Sequence, residues 1–266
     1  MSDLYSDMAR YYDSENEGLV EDLAAYDVLV GRFGGPVLDV GCGTGRVALH
    51  LARRGLDVVG LDSSAAMLQR ARANAAEAGE AGRRVVWLEC DIRDLTYPDR
   101  FGLAIFAFSG FMHLLEHSEQ IRALERIAAH LKTEGGVAID IANPIEIFRA
   151  EDSSSLVVER LFVDAETGHT VMQQSLASFD RISQIMNLTW VYDRISPDGL
   201  VHRALIPQRV RYSFASEMCL LLQRVGLDQV EVYGDYNFNT YEEESPRLFV
   251  VATRESGRTA RRASRA

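Results

Sequence analysis

At 266 residues, with 47% apolar side chains and a formal charge of −11, the chain has the length for one large α/β domain carrying an inserted lobe, and enough apolar mass for a sizeable core. The acidic balance argues against a nucleic-acid partner, and no apolar run is long enough to span a bilayer. Three scattered cysteines, Cys42, Cys90 and Cys219, fit a reducing, cytoplasmic setting rather than a disulfide framework.

In chain order, the polar and acidic start does not read as a signal peptide. A long polar helix is expected from about Glu17 to Phe33, as a lid over whatever site follows. From Pro36 to Ala142 short β-rich runs alternate with helical stretches. "PVLDV" is a strand, and "RVALHLARRG" is a helix with Val47, Ala48 and Leu51 on one face, stopped at Gly55. "DVVGLD" is a strand, followed by a helix from "SSAAMLQ" to about Gly79, capped by Ser63 or Ser64. "RVVWLE" and "FGLAIFAF" are strands, "SEQIRALERIAAHLKTEGG" is an amphipathic helix, and "GVAIDIA" closes the series. This alternation predicts a parallel, doubly wound sheet, whose ligands bind beyond the carboxyl ends of the strands.

After Asn143-Pro144 the period shifts toward two. "SLVVERLFVDA", "HTVMQQSLASFD", "QIMNLTWVYDRI" and "LVHRALIPQRVRYSF" read as antiparallel strands joined by "ETG", "RIS" and "SPDG". Leu188, Trp190 and Tyr192 share one side of their strand. A helix, "ASEMCLLLQRVG", and two strands, "QVEVYGDY" and "RLFVVATR", return to the main sheet. The expected division is a helical lid over 1–34, a cofactor-binding domain over 35–150 and 214–254, an inserted antiparallel β lobe over 151–213, and a basic tail over 255–266. The tail reads as disordered, with binding to RNA or an anionic surface as the alternative.

"VLDVGCGTGR" carries glycines at 41, 43 and 45. A dinucleotide turn requires G-x-G-x-x-G, and Arg46 stands where the third glycine belongs. Asp39, at the strand end, would repel a pyrophosphate but suits a cationic ligand such as S-adenosylmethionine, with its α-ammonium and sulfonium. Arg46 either faces that ligand's carboxylate or lies on the surface. Asp62 ends the second strand, where a carboxylate accepts from ribose hydroxyls. After the third strand, Asp91 is placed to accept from an adenine amino group and the Ile92 N–H to meet a ring nitrogen, while Met67 packs on the adenine.

These stretches, with "VVGLDSSAAML", "CDIRDL" and "TEGGVAIDI", resemble the class I S-adenosylmethionine-dependent methyltransferases over Pro36 to Ala142. The remainder is similar to small-molecule N-methyltransferases of the amino-sugar and glycine type. The resemblance implies a Rossmann-like seven-stranded, mostly parallel sheet with an antiparallel last strand. It implies cofactor contacts at Asp39, Gly41, Cys42, Gly43, Arg46, Asp62, Ser63, Met67, Cys90, Asp91 and Ile92. Tyr12 would join them near the methionine end, and Phe108 at the fourth strand. The sequence departs from the amino-sugar enzymes at His113, which stands where they usually carry a tyrosine.

Methyl transfer from a sulfonium is an in-line displacement that depends on alignment and desolvation. A base is needed only where the nucleophile arrives protonated. His113, after the fourth strand, is the candidate catalytic residue, or else a helix-cap histidine. Tyr5, Tyr11 and Tyr12 are candidates to line the site, as are Trp190, Arg211, Tyr212, Asp235, Tyr236 and Tyr241 for the acceptor. His113 to His117 also spells H-x-x-E-H, a zinc-protease pattern, but spacing suggests no third ligand and no metal is expected. The chain is thus expected to methylate N or O of a small molecule, as a cytoplasmic monomer or homodimer with no nucleic-acid or membrane partner. An NAD(P)-dependent oxidoreductase and a non-catalytic S-adenosylmethionine-binding module are the alternatives.

Overall fold

In the computed structural model, residues 6–16 and 18–254 are described. Tyr5 and the basic tail lie outside them. Seven strands form the main sheet: β1 (Val37–Val40), β2 (Val58–Asp62), β3 (Val85–Glu89), β4 (Phe101–Phe106), β5 (Leu131–Ala142), β10 (Gln229–Tyr233) and β11 (Arg247–Thr253). Their order is β3-β2-β1-β4-β5-β11-β10. All neighbours run parallel except β11, which is antiparallel to both β5 and β10. This is the expected fold. Strand order reverses between β1 and β4, so a crevice opens at their carboxyl ends.

The strands of this sheet are apolar on both faces because helices cover both. Leu38 and Val40 enter one core with α5 (His117–His130) and α7 (Ala215–Arg224), while Val37 enters the other. The second core holds Val47, Ala48 and Leu51 of α3 (Arg46–Arg53), together with Ala25, Tyr26 and Leu29 of α2 (Leu23–Phe33).

That last contact corrects the expected lid. The helix begins at Leu23, not near Glu17, and buries an apolar face against the sheet. Within the 1–34 segment expected to form a lid, a separate helix, α1 (Ser6–Glu15), precedes it, and this helix borders the cavity described below. A second boundary also moves. The stretch from Leu131 to Gly136 is the start of β5, not the end of α5. Leu131 pairs with Phe101, and the register then shifts before Leu103 meets Gly136. Gly136 is needed there: a Cβ would lie 2.7 Å from the Phe33 ring, which packs onto the strand.

The inserted sheet is a four-stranded antiparallel meander: β6 (Val157–Val163), β7 (Thr170–Asp180), β8 (Ile185–Ile195) and β9 (Val201–Arg211). Its register places Gln173, Tyr192 and Ala204 in one row, Ser175, Trp190 and Ile206 in the next, then Ala177, Leu188 and Gln208, then Phe179, Met186 and Val210. Directly opposed residues point the same way, so this whole set faces inward. Phe179, Met186 and Val210 join the main core, while Tyr192 and Ile206 pack with Met8 and Tyr11 of α1. Between these two anchors the sheet spans a cavity.

Candidate active site

The local chain shapes the cofactor side first. Gly45 caps α3 at φ +90, and a Cβ on it would lie 2.4 Å from the Trp87 ring. The third glycine therefore serves the turn and the tryptophan beneath it. Asp62 fixes the loop from the neighbouring strand: its carboxylate accepts from Gly43 N–H and from Ser64 N–H, each at 2.8 Å. Of the two candidate caps for the next helix, α4 (Ala65–Glu77), Ser64 is the one used; its hydroxyl accepts from Met67 N–H at 3.2 Å.

Asp39 is 1% exposed. One oxygen accepts from Ala48 N–H at 3.0 Å, and Oδ1 meets no donor among the described residues. Burial pushes its pKa up to about 7, outweighing the pull of Arg46. Arg46 borders the cavity with its guanidinium already engaged by protein. Its guanidinium grips Asp22 through two bonds of 2.6 Å and adds one to the Leu19 carbonyl at 3.1 Å, half-buried beside the cavity. Asp91 is likewise engaged by protein. It caps the short turn at Ile92–Asp94, and the Arg93 Nε approaches both its oxygens, at 2.9 and 3.0 Å. The paired guanidinium holds the Asp91 carboxyl below the usual range.

One cavity of about 560 Å³ joins these groups, within the range for small-molecule sites. Tyr12, Asp39, Gly41, Cys42, Gly43, Arg46, Asp62, Ser63, Met67, Cys90, Asp91, Ile92, Phe108 and His113 all border it. Phe108 and Ser109 follow β4 in consecutive left-handed conformations, φ 45 and 65. Non-glycine residues rarely adopt these, and a buried network holds them. Asp140 accepts from Phe108 N–H at 3.0 Å, from Tyr236 Oη at 3.1 Å and from Arg247 at 2.8 and 2.9 Å. Arg247 also reaches the Ser109 hydroxyl at 3.0 Å. His113 ends the single turn Gly110–His113 that follows. It lines the cavity with its side chain open to that space, and desolvation by the surrounding protein pushes its pKa down to about 4.

The H-x-x-E-H spacing does not produce a helical pair. His113 ends one turn, and His117 begins α5 after extended backbone at Glu116. His117 pairs with Glu217 and Arg211. No cluster of three or more possible metal ligands occurs among the described residues.

The acceptor candidates divide. Trp190 borders the cavity, its indole N–H donating to Gln208 at 3.1 Å. Tyr11 is core, stacked on Tyr192. Arg211 instead donates to the Leu115 and Ser183 carbonyls, and Tyr212 is fully buried. Asp235 accepts from the Asn237 and Asn239 backbone in its own turn, Tyr236 serves Asp140, and Tyr241 donates to Asn143 at 2.8 Å. None of these six lines the cavity. Residues not singled out from sequence do: Glu15 at the end of α1 and Asn16 just after it, Arg160, Gln173 and Gln208 of the lobe, and Arg247. Once the hairpins are aligned, Gln173 and Gln208 fall on the inward face of Trp190.

Comparison with known proteins gives this arrangement its class. Residues 37–135 match the methyltransferase domain family. The cypemycin N-terminal methyltransferase of a Streptomyces species is 30% identical over 243 residues, covering 91% of each chain. The dTDP-3-amino-3,6-dideoxy-alpha-D-glucopyranose N,N-dimethyltransferase of Streptomyces fradiae is 34% identical over 146 residues, 52% of this chain and 54% of that one. The solved CcbJ methyltransferase from Streptomyces caelestis superposes with a TM-score of 0.77 at 26% identity, covering 89% of this chain and 90% of that one. The chain belongs to the S-adenosylmethionine-dependent methyltransferases. It is an enzyme of that family, and nothing supports the oxidoreductase alternative. Among the described residues no helix is long and apolar enough to cross a membrane.

Proposed function

We propose that the enzyme methylates a nitrogen of a small molecule, held between the main sheet and the β lobe. The observation that carries this reading is the single cavity running from Asp39 and Asp62 at the strand ends to His113 and Trp190. The names of the two relatives favour nitrogen over oxygen.

The residues present fit the cofactor. The buried Asp39 oxygen without a donor suits an α-ammonium, and a Cβ at Gly41 would project into open space rather than into protein. When bound, S-adenosylmethionine supplies an electrophilic methyl group on a sulfonium. Asp62, its carboxylate oriented by two backbone N–H groups, would accept from ribose hydroxyls. Met67 and the Ile92 backbone would flank the adenine with Cys90 and Ser63 nearby. Asp91, tied to Arg93, would shape that end more than donate charge to it. Tyr12, Cys42 and Gly43 would enclose the methionine end, and Phe108 the methyl. His113 is neutral at working pH, so it accepts a hydrogen bond from an acceptor N–H rather than repelling a cation. As a base it is weak, and alignment with exclusion of water carries the rate.

The same reading assigns 35–150 and 214–254 to the cofactor, 151–213 to the acceptor and α1 to closure over both. The −11 charge supports an acceptor other than nucleic acid and a cytoplasmic monomer or homodimer. The test is transfer of labelled methyl from S-adenosylmethionine to a panel of amines and matched alcohols. Label in amines is the expected result; label confined to alcohols would overturn the nitrogen assignment.

A further inference from the structure

The acceptor side of the cavity holds a carboxylate with no role in the cofactor reading. Glu15 ends α1 and borders the cavity. Its Oε2 accepts from the Tyr192 hydroxyl at 2.7 Å and the Gln173 amide at 3.1 Å, and its Oε1 accepts from the Asn16 amide at 3.3 Å, a long bond that leaves this oxygen room for a further donor. Tyr192 cannot drift, because it is fully buried and stacked on Tyr11 at 5.0 Å. Arg160 bonds the Glu15 backbone carbonyl at 2.6 Å, not the carboxylate. Burial therefore prevails, and the Glu15 carboxyl titrates above its ordinary value.

Gln173 adds an independent observation. It is 2% exposed and lines the same cavity. Its amide nitrogen is used twice, toward Glu15 and toward the Tyr192 oxygen at 3.0 Å. Its amide oxygen has no donor among the described residues. Reversing the amide would not repair this: the oxygen would then face the Glu15 carboxylate, and the NH₂ would lose its strongest acceptor. A buried acceptor left without a donor is destabilising, and a ligand donor would relieve it. Two acceptors thus stand together on one wall, one of them charged. The complementary group has several N–H donors and a positive charge. Tyr12 lies one helical turn before Glu15, and its ring comes within 3.8 Å of a Cβ placed on Gly43. Glu15 therefore follows, one turn on along α1, the residue whose ring meets the glycine loop, and both line the same cavity.

We propose that Glu15 and the amide oxygen of Gln173 form a subsite for a primary or secondary ammonium group of the methyl acceptor. This deepens the reading of the cavity as a methyl-transfer site and rests on it. The adjoining wall of Met112, Met186 and Trp190 suits an aromatic or apolar body attached to that nitrogen.

The probes are 2-phenylethylammonium, 2-phenylethanol and 3-phenylpropionate, titrated calorimetrically into the full chain saturated with S-adenosylhomocysteine. The ammonium is expected to bind at least about tenfold more tightly than the alcohol or the carboxylate. Glu15→Gln should weaken it by about tenfold or more, with Gln173→Leu acting in the same direction. S-adenosylhomocysteine affinity and melting temperature in each variant show that the fold and the cofactor half are intact. Equal binding of the three probes overturns the subsite. So does undiminished ammonium binding in either folded variant, or no ammonium binding up to about 50 mM. Failure of wild-type protein to bind S-adenosylhomocysteine would instead strike the proposed function.

Discussion

The two halves of the cavity are built differently. The half proposed for the cofactor is local: a glycine turn, a helix N-terminus and strand-end carboxylates that bind backbone N–H groups, Asp39 to Ala48 and Asp62 to Gly43 no more than 19 residues apart. The acceptor half is made of side chains delivered by α1, four lobe strands and the turn after β4. Arg10 to Asp164 at 2.8 Å and Glu15 to Tyr192 tie chain segments more than 150 residues apart. A backbone-built site tolerates little change in shape. A side-chain-built site can change its ligand while the fold stays the same.

Gly45→Ala should break the cofactor half most severely. The new methyl meets Trp87 on backbone held at positive φ, a cost of about 2–4 kcal/mol. The melting temperature should fall by about 5–10 °C, with S-adenosylhomocysteine binding lost alongside it. Asp62→Ala leaves Gly43 and Ser64 N–H without their acceptor and removes the proposed ribose contact. Calorimetry should show affinity weakened about 100-fold. An unchanged affinity would remove Asp62 from the site.

His113→Ala probes the other half. We expect kcat to fall about tenfold while S-adenosylhomocysteine affinity stays within about twofold. With its pKa near 4, His113 should leave no inflection around pH 6.5 in the wild-type kcat profile. The smallest effect expected is that of pH on cofactor binding. Asp39 titrates near 7 in the folded protein, above an ordinary carboxyl near about 4. The proton is held more tightly in the folded state, so the stability it lends is complete below about pH 4 and lost as pH rises through 7. An incoming ammonium favours the ionised form. Affinity should therefore rise between about pH 5 and 7, with a proton released on binding. Asp39→Asn should flatten that slope.

The same division explains what could be read from the chain alone. Asp39, Gly43 and Asp62 were legible because a strand, turn and helix within thirty residues fix their relation. The lobe strands were legible from alternation and turn chemistry. Glu15 and Gln173 were not, because their meeting depends on how α1 docks against β7 and β8, and no local pattern records it. The partner of Arg46 was hidden for a similar reason: Asp22 lies in a turn assigned to a helix. The Leu131 boundary was missed because α5 carries its apolar period up to Leu131, and only the pairing of Leu131 with Phe101 on the neighbouring strand shows where the helix ends.

The most direct test of the cofactor half is a titration of the wild-type chain with S-adenosylhomocysteine at pH 7.5. The account predicts one site per chain with a micromolar Kd, about −8 kcal/mol. No binding at millimolar ligand would contradict it.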